Sequence, residues 1–176
     1  IKILNSAIQK ANATVRQKSV SDDNYKGMGT TLVLSYFDGN SLCVANIGDS
    51  RLYIIGDHIK QITTDHSLVE EMIRLGGLER SKARLHPDKN IITRAVGVVD
   101  KVDIDFFEVE DINNGDIVLM CSDGLTNMVE DSEIERIVKS NLSLEDKAHR
   151  LVATANSNGG RDNIAVILMQ LFLGEE

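Results

Sequence analysis

Apolar side chains at the start of the chain recur at helical intervals. Ile1, Leu4, Ala7, Ile8, Ala11 and Val15 share one face, so the chain opens with an amphipathic helix. Residues 19–27 (SVSDDNYKG) break that period and read as a loop. The period then changes. Residues 30–37, 42–47, 51–55 and 59–63 are β-rich runs separated by Asp38-Gly39-Asn40, Gly48-Asp49-Ser50 and Gly56-Asp57. Tight turns of this composition predict a four-stranded antiparallel meander.

A short helix over 67–75 follows, ended by Gly76-Gly77. Residues 79–90 are polar, hold the single proline, Pro87, and read as a surface excursion. Two further strands are expected over 104–109 and 116–121, with Asn113-Asn114-Gly115 turning into the second. Helices over 132–139 and 144–156 start after the capping residues Asp131 and Ser143, each with an acidic first turn. Asn158-Gly159-Gly160 breaks the second helix, and 164–172 is a final apolar strand. This order predicts an α+β fold with antiparallel sheets. Without repeats, low-complexity tracts or linkers, residues 1–176 read as a single domain.

Composition narrows the function classes. A chain of 176 residues can bury one sizeable core. Its formal net charge is −8 and no long basic block occurs, which argues against nucleic acid or a membrane as partner. No apolar run reaches the ~18 residues a membrane span needs, and the polar opening does not resemble a secretory signal. The chain starts at Ile1 rather than Met, as a trimmed or partial chain would. Cys43 and Cys121 are the two cysteines, each inside an apolar run. They read as buried, reduced thiols in a cytoplasmic protein. No C-x5-R phosphate loop accompanies either one, so a cysteine nucleophile is not indicated.

The chemistry concentrates on three aspartates at strand–turn junctions. Asp123 follows the apolar run IVLMCS and precedes Gly124; Asp162 lies between Gly159-Gly160-Arg161 and the run IAVILM; Asp65 sits in TTDHS before a helix. A carboxylate at a strand end beside a flexible glycine suits a hard cation such as Mg²⁺ or Mn²⁺, which takes oxygen ligands and keeps several waters. A lone aspartate at such a junction is also an ordinary turn-former or helix cap.

Six blocks occur in order: Met28-Gly29-Thr30-Thr31, Ile47-Gly48-Asp49-Ser50-Arg51, Thr64-Asp65-His66-Ser67, Ile92-Thr93-Arg94-Ala95-Val96-Gly97, Cys121-Ser122-Asp123-Gly124-Leu125 and Gly159-Gly160-Arg161-Asp162-Asn163-Ile164. Together they resemble the protein phosphatase type 2C family of metal-dependent serine/threonine phosphatases, in its compact bacterial form. The resemblance implies a four-layer α-β-β-α sandwich of two antiparallel sheets. It also implies a cytoplasmic signalling enzyme that hydrolyses phosphoserine and phosphothreonine in proteins by a metal-activated water. Its substrates would be those of a serine/threonine kinase, and its cofactors two or three Mn²⁺ or Mg²⁺ ions.

By the same resemblance, Asp123 and Asp162 are metal ligands, and Asp65 holds a third, weaker metal with Asp123. Asn163 steadies Asp162 from behind, and residues 67–90 form a flap in which His86 is a candidate substrate contact. No cofactor other than the metals is implied, and no catalytic group beyond their ligands. Family members start with an Arg…Asn-Glu-Asp segment and an Asp-Gly-Met/His-Gly-Gly block, neither of which occurs here. The chain is therefore expected to carry part of the metal site and to have little activity alone. Two alternatives stand beside this reading: a catalytically silent, pseudophosphatase-like phosphoprotein-binding module, and an anti-sigma-factor-antagonist phosphatase of the same superfamily.

Overall fold

Two sheets organise the strands, and the chain leaves one for the other at Gly48-Asp49-Ser50. The structure, a computed structural model, describes residues 1–174. Helix α1 (Lys2–Ser21) and a single 3-10 turn (Asp23–Tyr25) precede β1 (Leu32–Phe37), β2 (Leu42–Ile47), β3 (Arg51–Ile55) and β4 (Ile59–Gln61). Short helices α2 (Leu68–Arg74) and α3 (Arg80–Ala83) lead to β5 (Asp105–Val109) and β6 (Ile117–Cys121). Then come α4 (Asp123–Thr126), α5 (Asp131–Val138), α6 (Leu144–Ser157) and β7 (Val166–Gln170). The strand orders are β1-β2-β5 and β4-β3-β6-β7, both sheets antiparallel, so the fold is mixed α+β. None of the helices among the described residues is long and apolar enough to cross a membrane.

Spatially the chain falls into two compact units. The first comprises Ile1–Ser35, Cys43–Asp49 and Thr64–Phe107; the second comprises Tyr36–Leu42, Ser50–Thr63 and the chain from Glu108 onward. The first unit's core gathers Ile8, Ala45, Ile47, Val96 and Val102. The second is larger and joins Tyr53, Ile55, Leu119 and Cys121 from the sheet to Leu125, Ile134, Val138 and Leu151 from the helices. Burying one such aliphatic side chain is worth roughly 1.5–3 kcal/mol.

The expected four-strand meander is not formed: β1 and β2 lie in one sheet, β3 and β4 in the other. Two local causes are visible. Strands β2 and β3 are buried along nearly their whole length rather than on alternate residues, so period-two reading has no face to follow. At the turn, Gly48 adopts φ +104, and Thr31 occupies the space a β-carbon would need. Its N–H donates to His66 Nδ1 (3.0 Å) and its carbonyl accepts the His66 N–H (2.9 Å). Those are groups a β2–β3 hairpin would otherwise pair.

Two further expectations need correcting. The inward face of α1 centres on Ile8 and Asn12, while Ala7 and Ala11 are exposed. Asn12 is buried because its side chain bonds three backbone groups: Nδ2 donates to Val99 O (2.9 Å) and Asp100 O (3.2 Å), and Oδ1 accepts Gly97 N–H (2.7 Å). Gln9 donates to Val102 O (2.7 Å) along the same seam. The cap of α5 is Glu130, not Asp131. Asp131 is the first helical residue and accepts a hydrogen bond from the Tyr53 hydroxyl (3.2 Å) instead. Ser143 caps α6 as expected, accepting Asp146 N–H at 3.0 Å.

Candidate functional site

Antiparallel pairing brings the segments of Asp123 and Asp162 together. Strands β6 and β7 run in register from Ile117↔Gln170 to Cys121↔Val166. The pairing continues one residue further, where Ser122 N–H donates to Ala165 O at 3.1 Å. The Ser122 hydroxyl then closes the strand ends, donating to Asn163 O (3.1 Å) and accepting Ala165 N–H (3.0 Å). Beyond it, Gly124 lies so close to the Asn163 backbone that a β-carbon would collide with that carbonyl oxygen. Asp123 and Asp162 thus sit at the paired ends of two adjacent strands, within the second unit.

Each carboxylate is oriented by a neighbour. Asp123 is half-buried at the start of α4, and its Oδ2 accepts from Asn127 Nδ2 at 3.0 Å. Asp162 is exposed, and its Oδ1 accepts the Asn163 N–H at 2.7 Å. Asn163 therefore contacts Asp162 through its main chain, while its carbonyl binds Ser122. Asn127 carried no signal in the sequence reading, yet it stands one helical turn after Asp123, the spacing at which side chains meet.

Asp65 belongs to the first unit. It is half-buried between residues whose backbone is held on both sides. Thr64 O accepts from Asn46 Nδ2 (3.0 Å), and His66 O accepts Thr93 N–H (2.8 Å). The His66 ring is buried and has a defined tautomer. Nδ1 accepts from Gly48 N–H, so the proton is on Nε2, which donates to Asp105 Oδ2 (3.0 Å). Arg94 Nη1 donates to Asp105 Oδ1 at 2.7 Å. Burial pushes the Asp105 carboxyl up, but the hydrogen bonds from His66 and Arg94, with the Arg94 charge, outweigh it. The carboxyl is held below its ordinary 3.8. Arg94 and Asp105 are functional-looking residues that sequence pattern alone did not connect, because they pair with His66 from distant positions.

His86 lies in the 67–90 segment, half-buried, and its Nδ1 accepts Asp88 N–H at 3.2 Å within its own turn. Arg51 is paired, not free: its Nη1 donates to the Tyr53 hydroxyl (2.9 Å), which in turn donates to Asp131. Burial pushes that phenol far above its usual range.

No group of three or more His, Cys, Asp or Glu side chains able to hold a metal occurs among the described residues. The donor set still suits a hard cation. Such ions are commonly held by one or two carboxylates with water completing the shell, and the paired strand ends supply two carboxylates, each fixed by an amide donor.

Comparison with known proteins identifies the family. The family model for protein phosphatase 2C matches residues 1–164. The chain is 45% identical over 168 residues to the serine/threonine phosphatase stp of Listeria monocytogenes, covering 95% of this chain and 66% of that relative. It thus spans slightly under two thirds of that relative's length. Among solved structures, Stp1 of Staphylococcus aureus superposes with a TM-score of 0.92 at 34% identity, covering 98% of this chain and 68% of that one. The catalytic domain of the serine/threonine phosphatase PstP, solved in complex with two manganese ions, gives 0.81 at 31%, covering 94% and 68%. The chain belongs to the protein phosphatase 2C family.

Proposed function

We propose that this chain is the larger part of a protein serine/threonine phosphatase that hydrolyses phosphoserine and phosphothreonine with divalent cations, Mn²⁺ or Mg²⁺. The observation that carries the reading is the pair Asp123 and Asp162 at the joined ends of β6 and β7, in a chain of this family. These two carboxylates bind the cations, and Asp65 takes a further, weaker one. Bound divalent cations supply a stronger water nucleophile at neutral pH and offset the phosphoryl charge. The chain's part is positioning: Asn127 and the Asn163 amide orient the carboxylates, and the Ser122 clamp fixes the strand ends that bear them. Phosphoproteins made by a serine/threonine kinase are the substrates. Cys43 and Cys121 are thiols rather than a disulfide, which suits a reducing compartment and favours the cytoplasm.

The test is an assay of the full-length protein on a phosphothreonine peptide. Activity should require added Mn²⁺ or Mg²⁺, and Asp123→Ala or Asp162→Ala should lower kcat by on the order of a hundredfold or more. Full activity in excess chelator, or in either variant, would refute the reading.

A further inference from the structure

Five hydrogen bonds converge on the residues that flank Asp65, all from groups of one unit, and all but the one from the exposed Thr93 involve buried or half-buried partners. On the N-terminal side, Asn46 Nδ2 donates to Thr64 O at 3.0 Å and to Gly48 O at 3.3 Å. On the C-terminal side, His66 exchanges two hydrogen bonds with the Gly48 backbone, and its carbonyl accepts Thr93 N–H. Behind the ring, Asp105 accepts from Nε2, and Arg94 holds the other carboxylate oxygen. Asn46 is fully buried, and its Oδ1 has no hydrogen-bond partner among the described residues. An unpaired buried acceptor costs roughly 1–3 kcal/mol. Reversing the amide would turn Oδ1 toward two carbonyl oxygens, so this side chain is kept for its donor group. A residue that serves the core alone would be replaced at no such cost by an apolar one.

We infer that Asn46, His66, Asp105 and Arg94 form a positioning collar that fixes the backbone on both sides of Asp65 and so sets the strength of cation binding there. None of the four is a catalytic residue. The chain of dependence runs from Arg94 to Asp105, from Asp105 to the His66 tautomer, and from that tautomer to Gly48. Asp105→Asn breaks it in a specific way. Its two side-chain atoms must face two donors, Nε2–H and the guanidinium, and an amide offers one acceptor where the carboxylate offered two. Either His66 moves its proton to Nδ1, against Gly48 N–H, or the Arg94 contact is lost.

The inference rests on Asp65 being a cation ligand, and calorimetric titration of the full-length protein with Mn²⁺ alone separates the two claims. Asp65→Ala should abolish the weakest Mn²⁺ site. An isotherm unchanged from wild type would remove the ligand reading itself, and the collar with it. With that site lost on Asp65→Ala, Asp105→Asn should weaken it by about tenfold, the usual effect of removing a group that orients a metal ligand. The tighter sites should stay within about twofold of wild type. Asp105→Asn should also have no added effect on Mn²⁺ binding once Asp65 is alanine. An unchanged weak site in Asp105→Asn, or an equal loss in the Asp65→Ala background, overturns the collar. Should Asp105→Asn not fold, Arg94→Lys, which keeps one charged donor for Asp105, should weaken the same site by a smaller factor. A wild-type isotherm in that variant overturns the inference equally.

Discussion

The Ser122 hydroxyl donates to the Asn163 carbonyl at 3.1 Å, and beside that bond Gly124 presses against the same peptide. The spacing of the two segments that bear Asp123 and Asp162 is therefore set by one small side chain, Ser122, and by the close backbone approach at Gly124.

Gly124→Ala should wedge them apart. The new methyl meets backbone rather than a flexible side chain, so the neighbouring strand end must shift, at about 1–3 kcal/mol. Urea denaturation should show that loss, and kcat should fall more steeply than stability does. A variant with wild-type midpoint and wild-type turnover would mean the strand ends are more compliant than their packing indicates.

Asp105 gives a pH signature. Its folded-state pKa is lowered from 3.8, so the stability it contributes is fully present above that value and is lost as the pH falls through the lower, folded one. Wild type and Asp105→Asn should differ by a constant amount from pH 7 down to about 5, and their denaturation midpoints should approach each other below about 4. A gap that widens on acidification would contradict the pairing with His66 and Arg94.

Tyr53→Phe should destabilise the second unit by about 1–2 kcal/mol. The ring fits its fully buried place unchanged, but Arg51 loses an acceptor and Asp131 a donor. Guanidinium unfolding monitored by circular dichroism would register the change. No loss would show that water replaces the hydroxyl at both partners.

Amide exchange should be fastest, among ordered segments, between Gly76 and Asn90. There α3 is four residues long and contributes no buried residue, Leu85 is 88% exposed, and Leu75 just before the segment is 77% exposed. The Arg80–Glu70 pair, with contacts of 3.0 and 2.6 Å, ties it to α2, and the Arg80 end is solvent-accessible. Protection there equal to that of β6 would count against a mobile flap.

The sequence carried the strand ends on which Asp123 and Asp162 lie, since apolar runs bounded by glycine mark them directly. Ordered blocks around Asp49, Asp65 and Arg94 also indicated the family. Other features leave no periodic trace. A polar residue such as Asn12 at the centre of a helix's buried face is invisible to hydrophobic patterning, because what buries it is loop carbonyls 87 and 88 positions away. Asp131 looks like a cap until Tyr53 is placed beside it. The split of β2 from β3 depends on His66 taking the Gly48 backbone, a contact that spacing along the chain does not suggest.

Strand β3 pairs locally with β4 but finds its second partner far along the chain: Arg51 pairs with Cys121, about seventy positions further on, and Thr64–Phe107, which belong to the other unit, lie between. Closing a loop of that length costs entropy before any ladder bond is gained. Prior compaction of the intervening stretch would shorten the effective loop. Completion of the β4-β3-β6-β7 sheet should thus be coupled in time to a part of the molecule that contributes no strand to it, because distant pairings such as β3–β6 are slow to form.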